Sequence, residues 1–111
     1  MMNLMEINGY KAVISYDPEI QMFRGEFIGL NGGADFYAAD VVSLQQEAET
    51  SLQTFLDVCR ERGIEPVKQY SGRFNVRISP ETHAAAVAAA QAQRMSLNEW
   101  INQAIFQAVN A

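Results

Sequence analysis

The sequence predicts an α+β chain, in which a small antiparallel three-stranded sheet with one helix is followed by a unit of one strand and two helices. Apolar residues alternate with a period of two before residue 39, and the period becomes 3.6 from Asp40 onward. Residues 73–78 alternate again and run directly into a Ser-Pro helix start. A chain of 111 residues forms one domain or two very small ones, and its core is marginal unless it associates.

Three strands are predicted in the first forty residues. Residues 10–16 alternate and end at an Asp-Pro turn, which no central strand would tolerate. Residues 22–28 form a second strand, and the glycine-rich residues 29–33 supply a reversal before the short run 34–38. An antiparallel meander is the simplest arrangement of these three strands.

A long helix is predicted over residues 41–62. Its apolar positions recur at spacings of three and four: Val41, Leu44, Ala48, Leu52, Phe55, Leu56 and Cys59. Asp40 is the expected N-cap, while Gly63 and Pro66 end the helix. The apolar stripe requires a surface, and one face of the sheet provides it. We therefore expect a first domain at residues 1–66 and a linker at 67–72.

The alternation of residues 73–78 gives the predicted strand two different faces. Phe74, Val76 and Ile78 lie on one face, and the other face carries Arg73, Asn75 and Arg77. Arginine and asparagine side chains pair bidentately with guanine and adenine edges, and a two-stranded ribbon fits the major groove. The segment thus predicts DNA recognition by a strand, with a solvated face of an edge hairpin as the plainer alternative.

Two helices complete the predicted second domain, residues 73–111. Ser79-Pro80-Glu81 starts a helix that runs to about Gln93, and Ser96 with Glu99 forms a capping box for the next. The last helix has an apolar stripe made of Leu97, Ile101, Ala104, Ile105 and Ala108. A strand and two helices of under forty residues cannot bury both faces alone. We expect an intertwined dimer, in which two copies of the strand pair antiparallel.

The charge of the chain is unevenly distributed. The net charge is −5, but residues 1–67 hold four basic and eleven acidic residues, a net of −7, whereas residues 68–111 have a net of +2. The acidic part would repel DNA, which indicates a separate end that meets another partner.

No window approaches the roughly 18 apolar residues of a membrane helix, so the expected location is the cytoplasm, with no membrane partner. The single cysteine, Cys59, excludes an intrachain disulfide and makes no metal site by itself. We expect no metal and no cofactor.

The order of elements in the second domain resembles the ribbon-helix-helix repressors, such as Arc and the methionine repressor. The matching pieces are residues 73–77, 79–81 and 95–101. With the preceding sheet-and-helix domain and the stretch 72–83, nearly the whole chain is similar to HicB-type antitoxins. Arg94 departs from the pattern, because relatives commonly carry there the glycine that ends the first helix.

The resemblance implies a protein with two functional ends. A partial RNase H-like N-terminal domain would cover a small basic mRNA-cleaving toxin of the HicA type. A dimeric C-terminal domain would bind palindromic operator DNA and repress the toxin–antitoxin operon. Base contacts would fall on Arg73, Asn75 and Arg77, whereas phosphate contacts would fall on the start of the last helix: Ser96, Leu97 and Asn98.

Two other functions remain open from the sequence. An orphan ribbon-helix-helix regulator would keep the same C-terminal half, with an N-terminal domain that oligomerises or senses a ligand. A magnesium-dependent nuclease would require Asp17, Asp35 and Asp40, but a turn and a cap already explain Asp17 and Asp40, so we expect no enzyme and no catalytic residues. Two single residues have no assigned function. His83, the only histidine, is interpreted as a surface or structural residue. Trp100 fits either a dimer interface or a contact with the first domain.

Overall fold

The computed structural model describes residues 3–111 and divides the chain into two compact units, with the division between Ser71 and Gly72. The elements of the first unit are β1 (Leu4–Ile7), β2 (Tyr10–Asp17), β3 (Met22–Phe27), β4 (Asp35–Ala38) and α1 (Val41–Arg62). The strands form one antiparallel meander in the order β1-β2-β3-β4. The three predicted strands are confirmed as β2, β3 and β4, but the prediction of a three-stranded sheet is wrong, since β1 adds a fourth strand.

The additional strand β1 forms a tight hairpin with β2. Leu4 pairs with Val13 and Ile7 with Tyr10, and the two loop residues Asn8 and Gly9 have φ angles of 51° and 85°. Positive φ at both central positions is typical of the type I′ turn, whose twist matches that of the flanking strands. The Asn-Gly pair was the sequence signal for this hairpin. The strand itself is only four residues long and is mostly apolar, so it shows no clear alternation.

Helix α1 begins and ends where the sequence predicts. The Asp40 carboxylate accepts a hydrogen bond from the Ser43 backbone N–H at 2.8 Å, and Gly63 follows the helix in the left-handed conformation, with φ of 65°. The helix packs on one face of the sheet. The resulting core contains these buried residues: Ala12, Phe27, Phe36, Ala38, Leu44, Ala48 and Leu52. Cys59 is buried near the end of the helix, as the sequence predicts.

A close approach between β3 and β4 explains one glycine of the core. Gly25 is the register partner of Phe36, and a Cβ on Gly25 would overlap the Phe36 ring. The ring therefore lies over the glycine and packs against Phe27, with ring centroids 5.3 Å apart. Glycine at this position makes room for an aromatic ring between sheet and helix.

Backbone hydrogen bonds connect the segment after α1 to the loop between β3 and β4. The Lys68 N–H donates to the Gly29 carbonyl at 2.9 Å, and the Asn31 side chain donates to the Glu65 carbonyl at 2.8 Å. Val67 also forms an isolated bridge with Leu30. These bonds hold residues 65–68 to the first unit, whereas the sequence predicts that the linker begins at residue 67.

The second unit contains helices α2 (Pro80–Ala92) and α3 (Leu97–Val109), both close to their predicted bounds. Between them, Arg94 has a φ of 56°. The Met95 N–H donates to the Ala90 carbonyl at 2.9 Å and the Arg94 N–H to Gln91 at 3.0 Å. This is the Schellman pattern, which normally has glycine at the left-handed position. Arg94 thus occupies a backbone conformation that disfavours its own side chain.

Candidate nucleic-acid interface

The 73–78 segment, predicted as a strand, is not in a strand in the single chain. A strand is defined by hydrogen bonds to a neighbouring strand, and one copy of the segment has no such neighbour within residues 72–111. All six residues are exposed; for the apolar face, the exposed fraction is 69% at Phe74, 63% at Val76 and 47% at Ile78. The expected pairing with a second copy stays a prediction.

The helices of the second unit bury very little of their apolar surface. Only Ala86 and Ala90 of α2 are buried, and no residue of α3 is. Four large apolar side chains of α3 are exposed: Ile101 and Ile105 of the predicted stripe, and Phe106 and Val109 outside it. Exposed apolar patches of this kind mark interaction surfaces. Most apolar residues of the second unit are therefore not buried by the unit's own fold.

A groove in the second unit brings part of the predicted site together. Its cavity of about 530 Å³ is lined by the start of the 73–78 segment and by one face of α3, including Arg73, Asn75 and Asn98. Arg77, Ser96 and Leu97 do not line it. The groove also includes Asn102, a polar residue that the sequence reasoning missed. Its spacing of four from Asn98 places both amides on one face of α3, which was the available signal.

The start of α3 has the geometry of an anion site, but the Ser96 side chain already has a role there. The Ser96 Oγ accepts a hydrogen bond from the Glu99 N–H at 3.0 Å and so caps the helix. The first intrahelical bond runs from the Trp100 N–H to the Ser96 carbonyl at 3.0 Å. The amides of Leu97 and Asn98 precede that bond, in the position that suits a phosphate oxygen.

The three aspartates of the nuclease alternative lie in separate, satisfied environments. Asp17 accepts a hydrogen bond from the Glu19 N–H at 3.0 Å, Asp35 pairs with Arg24 at 2.6 Å, and Asp40 caps α1. Across residues 3–111, no three histidine, cysteine or acidic side chains are grouped so that they could hold a metal ion. None of the helices in that range is long and apolar enough to cross a membrane.

The two remaining candidates lie at the surface of the second unit. His83 is exposed on α2, beside Pro80 and Ala84. Trp100 is half-buried on α3 and borders a small cavity with Gln93 and Gln103. Neither residue has a charged neighbour in these cavities that would indicate chemistry.

A comparison with protein families gives one match, to the model described as the HicB family, over residues 55–105. Over these residues the chain is similar to HicB-family proteins. It includes the end of α1, the 73–78 segment, α2 and most of α3. Similarity to the HicB family over these residues suggests the antitoxin role of a toxin–antitoxin pair. No curated protein and no solved structure matches this chain.

Proposed function

We propose that this HicB-type chain is an antitoxin that neutralises a HicA-like mRNA-cleaving toxin and represses its own operon as a ribbon-helix-helix dimer. One observation carries the DNA-binding half of the proposal. The 73–78 segment exposes three large apolar side chains on alternate positions, and arginine and asparagine occupy the positions between them.

The apolar positions account for the dimer. If two copies of the 73–78 segment pair antiparallel, Phe74, Val76 and Ile78 of both chains face the α2 and α3 helices. The pairing also forms strand-to-strand backbone hydrogen bonds between the two copies. The exposed stripe of α3, including Ile101 and Ile105, then becomes part of a shared core.

The polar positions account for DNA recognition. In the paired ribbon, Arg73, Asn75 and Arg77 of both chains project from one surface, which fits the major groove. The amides at the start of α3 hold the flanking phosphates and fix the register of the protein on the duplex. Two-fold symmetry of the dimer requires a palindromic operator.

The remaining charges support a protein partner for the first unit rather than catalysis. Residues 1–67 have a net charge of −7, which suits a small basic toxin and not DNA. The aspartates that a nuclease would use are engaged in a turn, an ion pair and a helix cap. We therefore infer a binding protein without enzymatic activity of its own.

The DNA half is tested by comparing Arg77→Ala and Asn98→Ala on the DNA upstream of the gene. Each lost bidentate base contact costs about 1–3 kcal/mol, so Arg77→Ala should lower affinity by about tenfold or more and relax base preference. Asn98→Ala should weaken binding to all sequences alike. Arg62→Ala, which removes an equal charge from the exposed end of α1, is the control and should change neither. An Arg77→Ala variant with wild-type affinity and preference would contradict the assignment.

One observation favours a second candidate, an orphan regulator that senses a ligand. A groove of about 430 Å³ in the first unit is lined by apolar and aromatic residues and by two lysines, Lys11 and Lys68. Such a groove could hold a small anion with an apolar body. Co-purification with the product of a neighbouring gene distinguishes the two, because only the antitoxin requires a basic protein partner.

A further inference from the structure

We infer that the sheet face opposite α1, here called the open face, is the surface through which this chain contacts a basic protein partner. The identification of that partner as the toxin rests on the proposed function. Helix α1 packs against Ala12, Phe27 and Phe36, and strand alternation sends Val13, Glu26 and Tyr37 to the other side. Within the described part of the first unit, no element covers that side.

The open face has an apolar corner. Leu4 and Val13 are direct register partners on β1 and β2, and they are 40% and 43% exposed. Ile28 follows β3 diagonally across from Val13 and is 47% exposed. Direct cross-strand partners such as Leu4 and Val13 lie within side-chain contact distance, and Ile28 lies at the next diagonal position, so the three occupy the same corner of the face. Adjacent apolar residues of this kind are typical of the centre of a protein interface.

Beside this corner lies a fixed acidic cluster. The Arg24 guanidinium donates to Asp35 at 2.6 Å, to Glu26 at 3.2 Å and to the Tyr37 hydroxyl at 3.1 Å. One cation faces two carboxylates, so the cluster keeps a net negative charge. Each carboxylate uses one oxygen in this network, and the geometry holds the side chains in place before any partner arrives. A fixed carboxylate loses little side-chain entropy when it binds an arginine or lysine.

The outward surface of α1 has a different character, although it is also acidic. Its polar groups bond along the helix, as in Thr54 to the Thr50 carbonyl at 3.0 Å and Gln53 to Asp57 at 2.9 Å. The exposed large apolar residues of α1 lie only at its ends, at Val41, Val42 and Val58. Charge alone would suit either surface, but only the open face combines acidic groups with an apolar corner.

The partner that fits the open face is therefore a folded basic protein with an apolar contact region. Its cations would meet Glu26 and Asp35, and its apolar side chains would cover Leu4, Val13 and Ile28. The two lysines of the groove beside Ile28, Lys11 and Lys68, repel cations at that end. The separation of the acidic groups from these lysines favours one orientation of a basic partner over the reverse.

The experiment uses the full chain and the product of the neighbouring gene, and it compares matched substitutions on the two surfaces. Val13→Lys and Glu26→Lys place cations on the open face, while Gln53→Lys and Glu49→Lys make the same charge changes on exposed positions of α1. Toxin affinity is measured by calorimetry. Urea unfolding serves as the folding control for the first unit, and affinity for operator DNA serves as the control for the second unit. Val13→Lys leaves the Arg24 network intact if Glu26→Lys disturbs it.

We expect each open-face variant to weaken toxin binding about tenfold or more, and each α1 variant about twofold or less, with DNA affinity kept. Wild-type toxin affinity in both open-face variants would overturn the assignment of the surface and leave the antitoxin function standing. A wild-type chain that binds its operator but no basic neighbour would instead overturn the antitoxin function, and the open-face assignment with it.

Discussion

Truncation of Phe74 should break the proposed dimer, because the single chain leaves most of this side chain exposed and the dimer would bury it. In the single chain it is 69% exposed. A phenylalanine side chain buries about 150–250 Å², so about 100–170 Å² would be covered only when a second chain binds. At about 25 cal/mol per Å², this surface is worth roughly 3 kcal/mol in each chain.

The dimer contains two copies of Phe74, so the effect is doubled. After allowing for the alanine that remains, Phe74→Ala should cost about 4–6 kcal/mol of dimerisation free energy. This corresponds to a dimer Kd about a thousandfold to twenty-thousandfold weaker. Sedimentation equilibrium over a range of concentrations measures that constant directly.

Tyr70 provides the matched control. It is even more exposed, at 78%, but belongs to the first unit. Tyr70→Ala should leave the dimer Kd unchanged, because exposure alone does not make a residue part of the interface. If Phe74→Ala and Tyr70→Ala dimerise equally well, the 73–78 segment is not the dimer core and the proposed ribbon is refuted.

Three further predictions concern the stability of the fold. Gly25→Ala should destabilise the first unit by about 1–3 kcal/mol in urea unfolding, because the added Cβ overlaps Phe36, and a second change of Phe36→Leu should recover part of the loss. Arg94→Gly should stabilise the chain by about 1 kcal/mol in the same assay, because glycine adopts the left-handed conformation without strain, and no gain would argue against the Schellman turn. Hydrogen bonds from Ser43 lower the pKa of Asp40, so its contribution to stability is complete above the unfolded pKa of about 3.9 and is lost as the pH falls through the lower folded value. Asp40→Asn keeps a cap but should flatten the acid limb of the melting temperature, and an unchanged acid limb would show that Asp40 does not contribute to it.

The helices were predictable from the sequence because each one has chemical markers at its ends. Asp40 and Gly63 bound α1, and Ser79 and Ser96 accept the capping bonds of α2 and α3. These markers act within one turn of the chain, so they do not depend on tertiary structure. The missed strand β1 also had a local marker, in the Asn8-Gly9 turn.

Other features could not be predicted because they depend on register between distant residues. The Arg24 cluster joins β3 to β4 and forms only when Arg24 pairs with Tyr37 and Glu26 with Asp35. A shift of one residue would send these side chains into the core, and the sequence alone gives no exact register. The hydrogen bonds of Asn31 to residues 65 and 67 join parts of the chain more than thirty residues apart, so the sequence alone does not predict them either.

The 73–78 segment illustrates a different limit. Its alternation predicts a strand, yet the single chain leaves it outside any sheet. In the proposed dimer, the neighbouring strand belongs to a second copy of the chain. When alternating apolar residues predict a strand and the single chain provides no neighbouring strand, association with another chain is indicated.

A footprint of the full chain on the DNA upstream of its gene tests the central claim most directly. If a pair of chains reads DNA through Arg73, Asn75 and Arg77, the protected site has two half-sites related by two-fold symmetry. Base substitutions at equivalent positions of the two half-sites should then lower affinity equally, by about 1–3 kcal/mol each. Protection without sequence preference, or a single asymmetric site, would contradict recognition by a paired ribbon.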